Sequence, residues 1–201
     1  MLYRHEILRK LIHLSGIFWL FPIVTFDAIT ASLIYGCIFG LLMIFEYFRV
    51  KNIYIFGLNL SSFSVLFRDG EKHRKFTLKS MDQLILGLLI MSIFFDQYII
   101  IPCYSMMIFG DAFAAIVGRK IGRYKIYKNK TLEGFVAFVF FATMGSYATA
   151  NLLGYQQGFG FIVIISILAA LVELFDFYKK YNIDDNIMIP LSCCIACGVL
   201  F

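Results

Sequence analysis

Seven apolar stretches of 15 to 21 residues succeed one another along the 201-residue chain: Ile7–Thr25, Ala28–Phe48, Met81–Phe95, Tyr98–Val117, Leu132–Leu152, Phe159–Tyr178 and Ile187–Phe201. About 20 apolar residues in a helix cross a bilayer core of about 30 Å. Water does not reach backbone groups there, so each crossing segment must bond its own N–H and C=O groups, which an apolar run of this length does as a helix. The third and seventh stretches, about 22 Å long as helices, are short for a crossing and are expected to be tilted or half-embedded. The predicted fold is all-α: a polytopic transmembrane helical bundle of about seven spans in one integral-membrane domain covering residues 1–201. Composition closes the other routes. The chain is 61% apolar and 15% charged, against about 25% charged in globular proteins, and no soluble fold hides that much apolar surface. Its 23 Phe and 3 Pro exclude disorder and collagen.

The 18 Lys and Arg residues fall in only four places: three at the start of the chain (Arg4, Arg9 and Lys10, at the head of the first stretch), seven between the second and third, six between the fourth and fifth, and two between the sixth and seventh. The alternate connections, around Asp27, around Asp96 and across Gly154–Gly158, carry none. By the positive-inside rule the N-terminus and the basic loops, about residues 49–80, 119–131 and 179–186, are expected in the cytoplasm. The net charge of +5 is thus a topological bias and not a nucleic-acid surface. The first stretch follows Arg4, Arg9 and Lys10 as a signal peptide would, but it carries His13 and lacks a small-x-small cleavage site, so it reads as a retained helix. Within the longest basic loop, Ile53–Phe67 is apolar but broken by Asn59, Ser61, Ser62 and Ser64, the pattern of an interfacial or re-entrant helix. The five cysteines, Cys37, Cys103, Cys193, Cys194 and Cys197, all lie in apolar runs and read as packing residues; the Cys194–Cys197 pair has no partners for a zinc set.

Charge inside apolar helices is costly and tends to face a bundle interior. Glu6, Arg9, Lys10 and His13 recur at i, i+3, i+4 and i+7 and so share one helical face. Further on, Asp111, Ala115, Gly118 and Gly122 fall along one side of a helix, an acid at the inner end of a narrow groove. Six cations without an intervening acid, Arg119, Lys120, Arg123, Lys125, Lys128 and Lys130, follow at its outer end. A polyanion is the expected occupant. A nucleoside triphosphate needs cations or backbone N–H groups around its oxygens and a carboxylate to hold Mg²⁺; a helix starting at Thr131–Glu133 would add its dipole. The P-loop pattern is absent. A third cluster, Glu173, Asp176, Asp184, Asp185 and Asn186, lies on the same side by the charge sorting; its acids serve as caps, or as metal ligands or a general base if they converge with Asp111.

The run D-A-x-A-x-x-x-G-x-x-x-G at Asp111–Gly122, K-T-x-E-G at Lys130–Gly134, E-x-x-R-K-x-x-H at Glu6–His13 and D-D-N at Asp184–Asn186 resemble the family of dolichol kinase, phytol kinase and CTP-dependent diacylglycerol kinase. The resemblance implies a catalytic domain that moves the γ-phosphate of CTP, with a divalent metal such as Mg²⁺, to the hydroxyl of a membrane lipid alcohol: a polyprenol, a phytol-like prenol or diacylglycerol. It implies that Asp111 organises the metal or the triphosphate; Glu133 and Asp184 are further candidate metal ligands, and the general base expected to deprotonate the hydroxyl is Asp185 or Asp111, with His13 third. Gly118, Arg119, Lys120, Gly122, Arg123, Lys130, Thr131, Glu133 and Gly134 become a nucleotide cradle. Arg68 and Glu71 resemble the family's R-x-x-E, although the glycine expected soon after that Glu is missing from Lys72–Lys79. Two alternatives share these parts. A cytidylyltransferase would release pyrophosphate and leave a CDP-lipid; a small transporter would spread its charges along a path, whereas here they gather at one face.

Overall fold

The structure, a computed structural model, describes residues 10, 12–51, 54–55, 58–59, 80–155 and 157–200. Glu6, Arg9, Arg68 and Glu71 lie outside the described residues, as does most of Ile53–Phe67. Among the described residues seven helices follow in order: α1 (Ile12–Thr25), α2 (Ala28–Val50), α3 (Ser80–Phe94), α4 (Gln97–Ile121), α5 (Leu132–Leu152), α6 (Phe159–Phe175) and α7 (Asp185–Leu200). Two short antiparallel hairpins join them, β1 (Tyr54–Ile55) with β2 (Leu58–Asn59) and β3 (Lys125–Tyr127) with β4 (Lys130–Thr131). Where the interfacial helix was expected, Tyr54–Ile55 and Leu58–Asn59 therefore pair as strands, which aromatic and β-branched Tyr54 and Ile55 favour. Three helices, over Ala28–Phe48, Gln97–Ile121 and Leu132–Leu152, are long and apolar enough to cross a membrane; α1, α3, α6 and α7 are shorter apolar helices. The chain is a helical membrane protein. Ile29, Leu33, Leu41 and Ile44 of α2 stay exposed, as a helix facing hydrocarbon requires.

Helix α4 is the centre of the bundle, packed on α5, α6, α7, α1 and α3, while α2 leans on α3. The α4–α5 pair is the most extensive and is built on glycines. The Phe138 ring of α5 lies over Gly110, where a Cβ would come within 2.6 Å of it, and Phe109 of α4 lies over Gly145, where a Cβ would come within 2.2 Å of its ring. Phe113 and Phe141 stack at 3.9 Å between ring centroids. Without a hydrophobic drive between helices in lipid, such close backbone approach and van der Waals packing hold the pair together.

Irregular backbone in the bundle is satisfied by named side chains. Residues Ser15–Leu20 of α1 wind as a 3₁₀ helix, whose poorer bonding leaves carbonyls to fill. Tyr104 of α4 donates to Gly16 O at 2.9 Å and Tyr35 of α2 to Trp19 O at 2.5 Å. Pro102 inside α4 has no N–H for the Tyr98 carbonyl, and Gln157, from the connection after α5, donates to that oxygen at 2.6 Å. Four of the five cysteines, Cys103, Cys193, Cys194 and Cys197, pack in the core as expected, but Cys37 faces outward.

Candidate active site

Gly16 sets the register of α1 on α4: a Cβ there would meet Ile108 at 2.8 Å. One turn along α1, His13 comes level with Asp111, one turn beyond Ile108. Lys10 Nζ bonds Asp111 Oδ2 at 2.6 Å and His13 Nε2 lies 3.5 Å from the same oxygen. The side chains of Lys10 and Asp111 are only 6% and 15% exposed, so this is a charge pair largely removed from water. Two motifs about a hundred residues apart thus meet at one carboxylate.

The opposite wall comes from the end of α6 and the start of α7. Lys130 donates to both the carboxylate and the backbone carbonyl of Glu173. Lys128 pairs with Asp176 at 2.6 Å. Asp176 and Asn182 take the left-handed conformation, φ 41° and 58°, which Asp and Asn tolerate; they bracket a 3₁₀ turn, Phe177–Tyr181, that folds the chain back. Within it Tyr178 donates to Asp185, and Lys179 lies 2.9 Å from the other Asp185 oxygen. Asp111 and Asp185 are both within electrostatic range of Glu173. Carboxylates from α4, α6 and α7 thus lie toward the same end of the bundle, and each is held by a lysine.

Burial pulls the Lys179 ammonium down, but Asp185, Asp176 and Glu173 outweigh it and hold it above the ordinary lysine range. A raised folded-state pKa contributes stability that is complete below the unfolded value and lost as pH rises through the folded one. Lys179→Met is expected to lower stability by about 0.5–1 kcal/mol, a small effect because the pair is partly solvated. The deficit should be constant from pH 7 to 9 and should shrink in thermal melts once the pH rises through the lysine's raised folded-state range. A deficit that persists there would assign it to packing.

The D-D-N residues divide. Asp185 joins the site, but Asp184 accepts from Ser80 Oγ at 2.5 Å and Asn186 Nδ2 donates to Ser80 O at 3.1 Å. Gln83 completes this clamp, accepting from Asp184 N at 2.5 Å and donating to Asn182 O at 3.0 Å. Glu133 is likewise engaged elsewhere, accepting the Arg123 N–H at 2.9 Å and the Tyr124 N–H at 3.4 Å. The expected ligand trio Asp111, Glu133 and Asp184 is not gathered, and no group of three or more His, Cys, Asp or Glu among the described residues is close enough to hold a metal ion.

The expected glycine groove is filled by the protein itself. A Cβ on Gly122 would meet Thr131 Oγ1 at 2.5 Å, and one on Gly118 would meet it at 3.1 Å and Gly134 Cα at 3.4 Å; one on Gly134 would lie 3.2 Å from Ala114 O. Thr131 Oγ1 also accepts the Gly134 N–H at 3.2 Å as the cap of α5. These small residues let α4 and α5 cross with their backbones in contact. Arg119, Lys120 and Arg123 stay exposed at the end of α4, and Lys130 turns inward. Tyr178 was not expected in the site, Ser80 and Gln83 were not expected in the clamp beside it, and Lys128, one of the six cations, was not expected to pair with Asp176. Their only sequence signal is position: polar groups at the start of α3, in the hairpin turn and just before D-D-N.

No protein-family model matches the chain, and no solved structure matches it. It is 31% identical to an uncharacterized protein of Rickettsia prowazekii over 94% of this chain and 91% of that one. It is 35% identical over 46% of its length to "Farnesol kinase, chloroplastic" of Arabidopsis thaliana, covering 32% of that protein. Its likeness to "Probable phytol kinase, chloroplastic" of Triticum aestivum is 30% over all of this chain and 69% of that protein. With the paired motifs meeting at Asp111 and this chain matched over its whole length to more than two thirds of such a relative, the chain belongs to the phytol kinase family.

Proposed function

We propose that the protein transfers the γ-phosphate of CTP to the hydroxyl of an isoprenoid alcohol at the membrane edge, from the basic and therefore cytoplasmic end of a seven-span bundle. The convergence of Asp111 with Lys10, His13 and the Glu173 and Asp185 wall carries this reading. Phosphoryl transfer asks the protein mainly for positioning and charge neutralisation, and this site supplies three carboxylates and three lysines at the end of an apolar bundle. Phytol and farnesol in the relatives' names favour a prenol over diacylglycerol or dolichol. The choice of CTP rests on the motif resemblance.

Mg²⁺ is bound with substrate phosphates through one or two carboxylates and keeps several waters, so a three-residue protein cage is not required. Asp111 fits that role, with Glu173 facing it; when bound, the ion would neutralise charge on the phosphates. Lys10 and Lys130 are placed to exchange their carboxylate partners for phosphate oxygens. The lipid hydroxyl oxygen forms the new P–O bond, the bond from the γ-phosphorus to CDP breaks, and the hydroxyl proton must leave. His13, beside Asp111, is placed to take it. Asp185, with one oxygen held by Tyr178 and the other by Lys179, is the less available base.

The test is a matrix of γ-labelled CTP and ATP against phytol, farnesol, dolichol and diacylglycerol, with prenyl monophosphate and phosphatidic acid as further acceptors, using purified protein in micelles. The expected products are CDP and a labelled prenyl monophosphate. Pyrophosphate and a CDP-lipid would establish the cytidylyltransferase instead, and no transfer from either nucleotide would overturn the kinase reading.

A further inference from the structure

The basic segment after α4 has two faces, and only one of them belongs to the site. Its inner face is anchored: Tyr127 meets Phe175 edge-on at 5.8 Å, Lys128 reaches Asp176 and Lys130 reaches Glu173. Its outer face is tied through backbone groups, the Arg123 and Tyr124 N–H donating to Glu133, which leaves the side chains there outward. Tyr124 is 70% exposed, Ile121 57% and Ile126 48%, with Lys120, Arg123 and Lys125 exposed among them. The register shift between Lys125 and Tyr127 breaks strict alternation, so that Tyr124, Lys125 and Ile126 all stay exposed while Tyr127 turns to Phe175. This surface cannot lift away from the bilayer edge. The hairpin connects the ends of two membrane-length helices, Ile121 of α4 and Leu132 of α5, and it is pinned onto the end of α6. The Leu132 N–H donates to Tyr124 O at 2.8 Å, closing its base.

Exposed aromatic and branched residues interleaved with cations, held at a membrane boundary, are the composition that enters the headgroup layer, apolar groups inward and cations toward phosphate. From this we infer that the outer face of the hairpin, Ile121, Tyr124 and Ile126 with Lys120, Arg123 and Lys125, is a docking surface for anionic phospholipid headgroups, separate from the nucleotide. Charge complementarity sets the occupant: three cations stand here against one acid, Glu133, whose carboxylate is engaged by the Arg123 and Tyr124 N–H groups. The surface rests on α4 and α5 crossing the bilayer and does not depend on the kinase reading.

The experiment reads the surface locally. Tyr124→Trp is made in a Trp19→Phe background, so that the only indole lies on the hairpin, and the full chain is reconstituted in phosphatidylcholine bilayers. A fifth of the lipid is brominated near the headgroup end of the acyl chain, as either phosphatidylglycerol or phosphatidylcholine. Brominated phosphatidylglycerol should quench more strongly, with about fivefold local enrichment per engaged lysine. Adding Lys125→Glu should reduce the difference by at least that factor. Inorganic phosphate or CTP at millimolar concentration should leave the quenching unchanged. Equal quenching by the two lipids would overturn the proposal, as would absence of quenching by either. Loss of the phosphatidylglycerol preference on adding CTP or phosphate would reassign the face to a soluble phosphate ligand.

Discussion

Asp111→Asn is expected to lower phosphoryl transfer from labelled CTP by about a thousandfold, the scale on which removal of a preorganised charged group acts in such reactions. Asn keeps the shape of Asp and an oxygen that accepts from Lys10, so the buried ammonium is not left without a partner. Removing the partner outright, as in Asp111→Leu, strands Lys10 in the interior and would cost about 3–5 kcal/mol. Loss of activity in that variant would therefore not separate catalysis from folding. The informative comparison is Asp111→Asn against wild type, with thermal unfolding measured on the same preparations. The melting temperature should move by only a few degrees while turnover collapses. Near-normal turnover by a folded Asp111→Asn protein would sink the role given to this residue. Glu133→Gln offers a contrast, since a Gln oxygen still accepts from Arg123 and Tyr124 and the loss should stay within about tenfold.

Gly110→Leu is expected to destabilise the bundle by about 3 kcal/mol, at the upper end of ordinary overpacking, or about 6–12 °C in melting temperature for a chain of this size. Three atoms of the Phe138 ring, at 2.6, 2.7 and 2.9 Å from where a Cβ would stand, leave no room for a side chain at the α4–α5 crossing. The ring is fully buried and cannot swing out without opening a void. Phe138→Ala made in the same chain should restore much of the loss, because the two changes exchange volume across one contact. Each single variant should melt low and the pair should melt higher than either. Equal melting temperatures for Gly110→Leu and wild type would show that the crossing is looser than drawn. Asp111 follows Gly110 directly, so a displaced crossing should also reduce turnover.

The span pattern was legible because it is a one-dimensional property. Leu132–Leu152 matches its helix end to end, and Ala28–Phe48 and Tyr98–Val117 match theirs within a few residues, since apolar runs of membrane length have one way to satisfy their backbones. The face formed by Lys10 and His13 followed from helical periodicity, and Asp111 stood out as an acid inside an apolar run. Other residues misled for a physical reason. Gly118, Gly122 and Gly134 show the same sequence whether the space beside them receives a phosphate or a threonine, and here Thr131 fills it. Glu133 and Asp184 are carboxylates whether they ligate a metal or accept from Arg123, Tyr124 and Ser80. Lys125 and Lys130, five residues apart in one basic run, part company because the hairpin between them turns the chain over: Lys125 stays exposed and Lys130 turns inward to Glu173.

From sequence alone come the all-helical membrane class, the gathering of charge at one end, and the acids and histidine worth asking about. These depend on local hydropathy and on spacing along a single helix, which the order of residues states directly. Only the tertiary structure decided which of them meet: that Lys10 and His13 reach Asp111, that Glu173 and Asp185 face the same region, and that Asp184 and Glu133 are occupied elsewhere. Those facts depend on how α1, α6 and α7 seat on α4. That seating is set by close packing at Gly16 and Gly110, by carbonyls freed in the 3₁₀ turn and at Pro102, and by left-handed Asp176 and Asn182, none of which a linear pattern encodes.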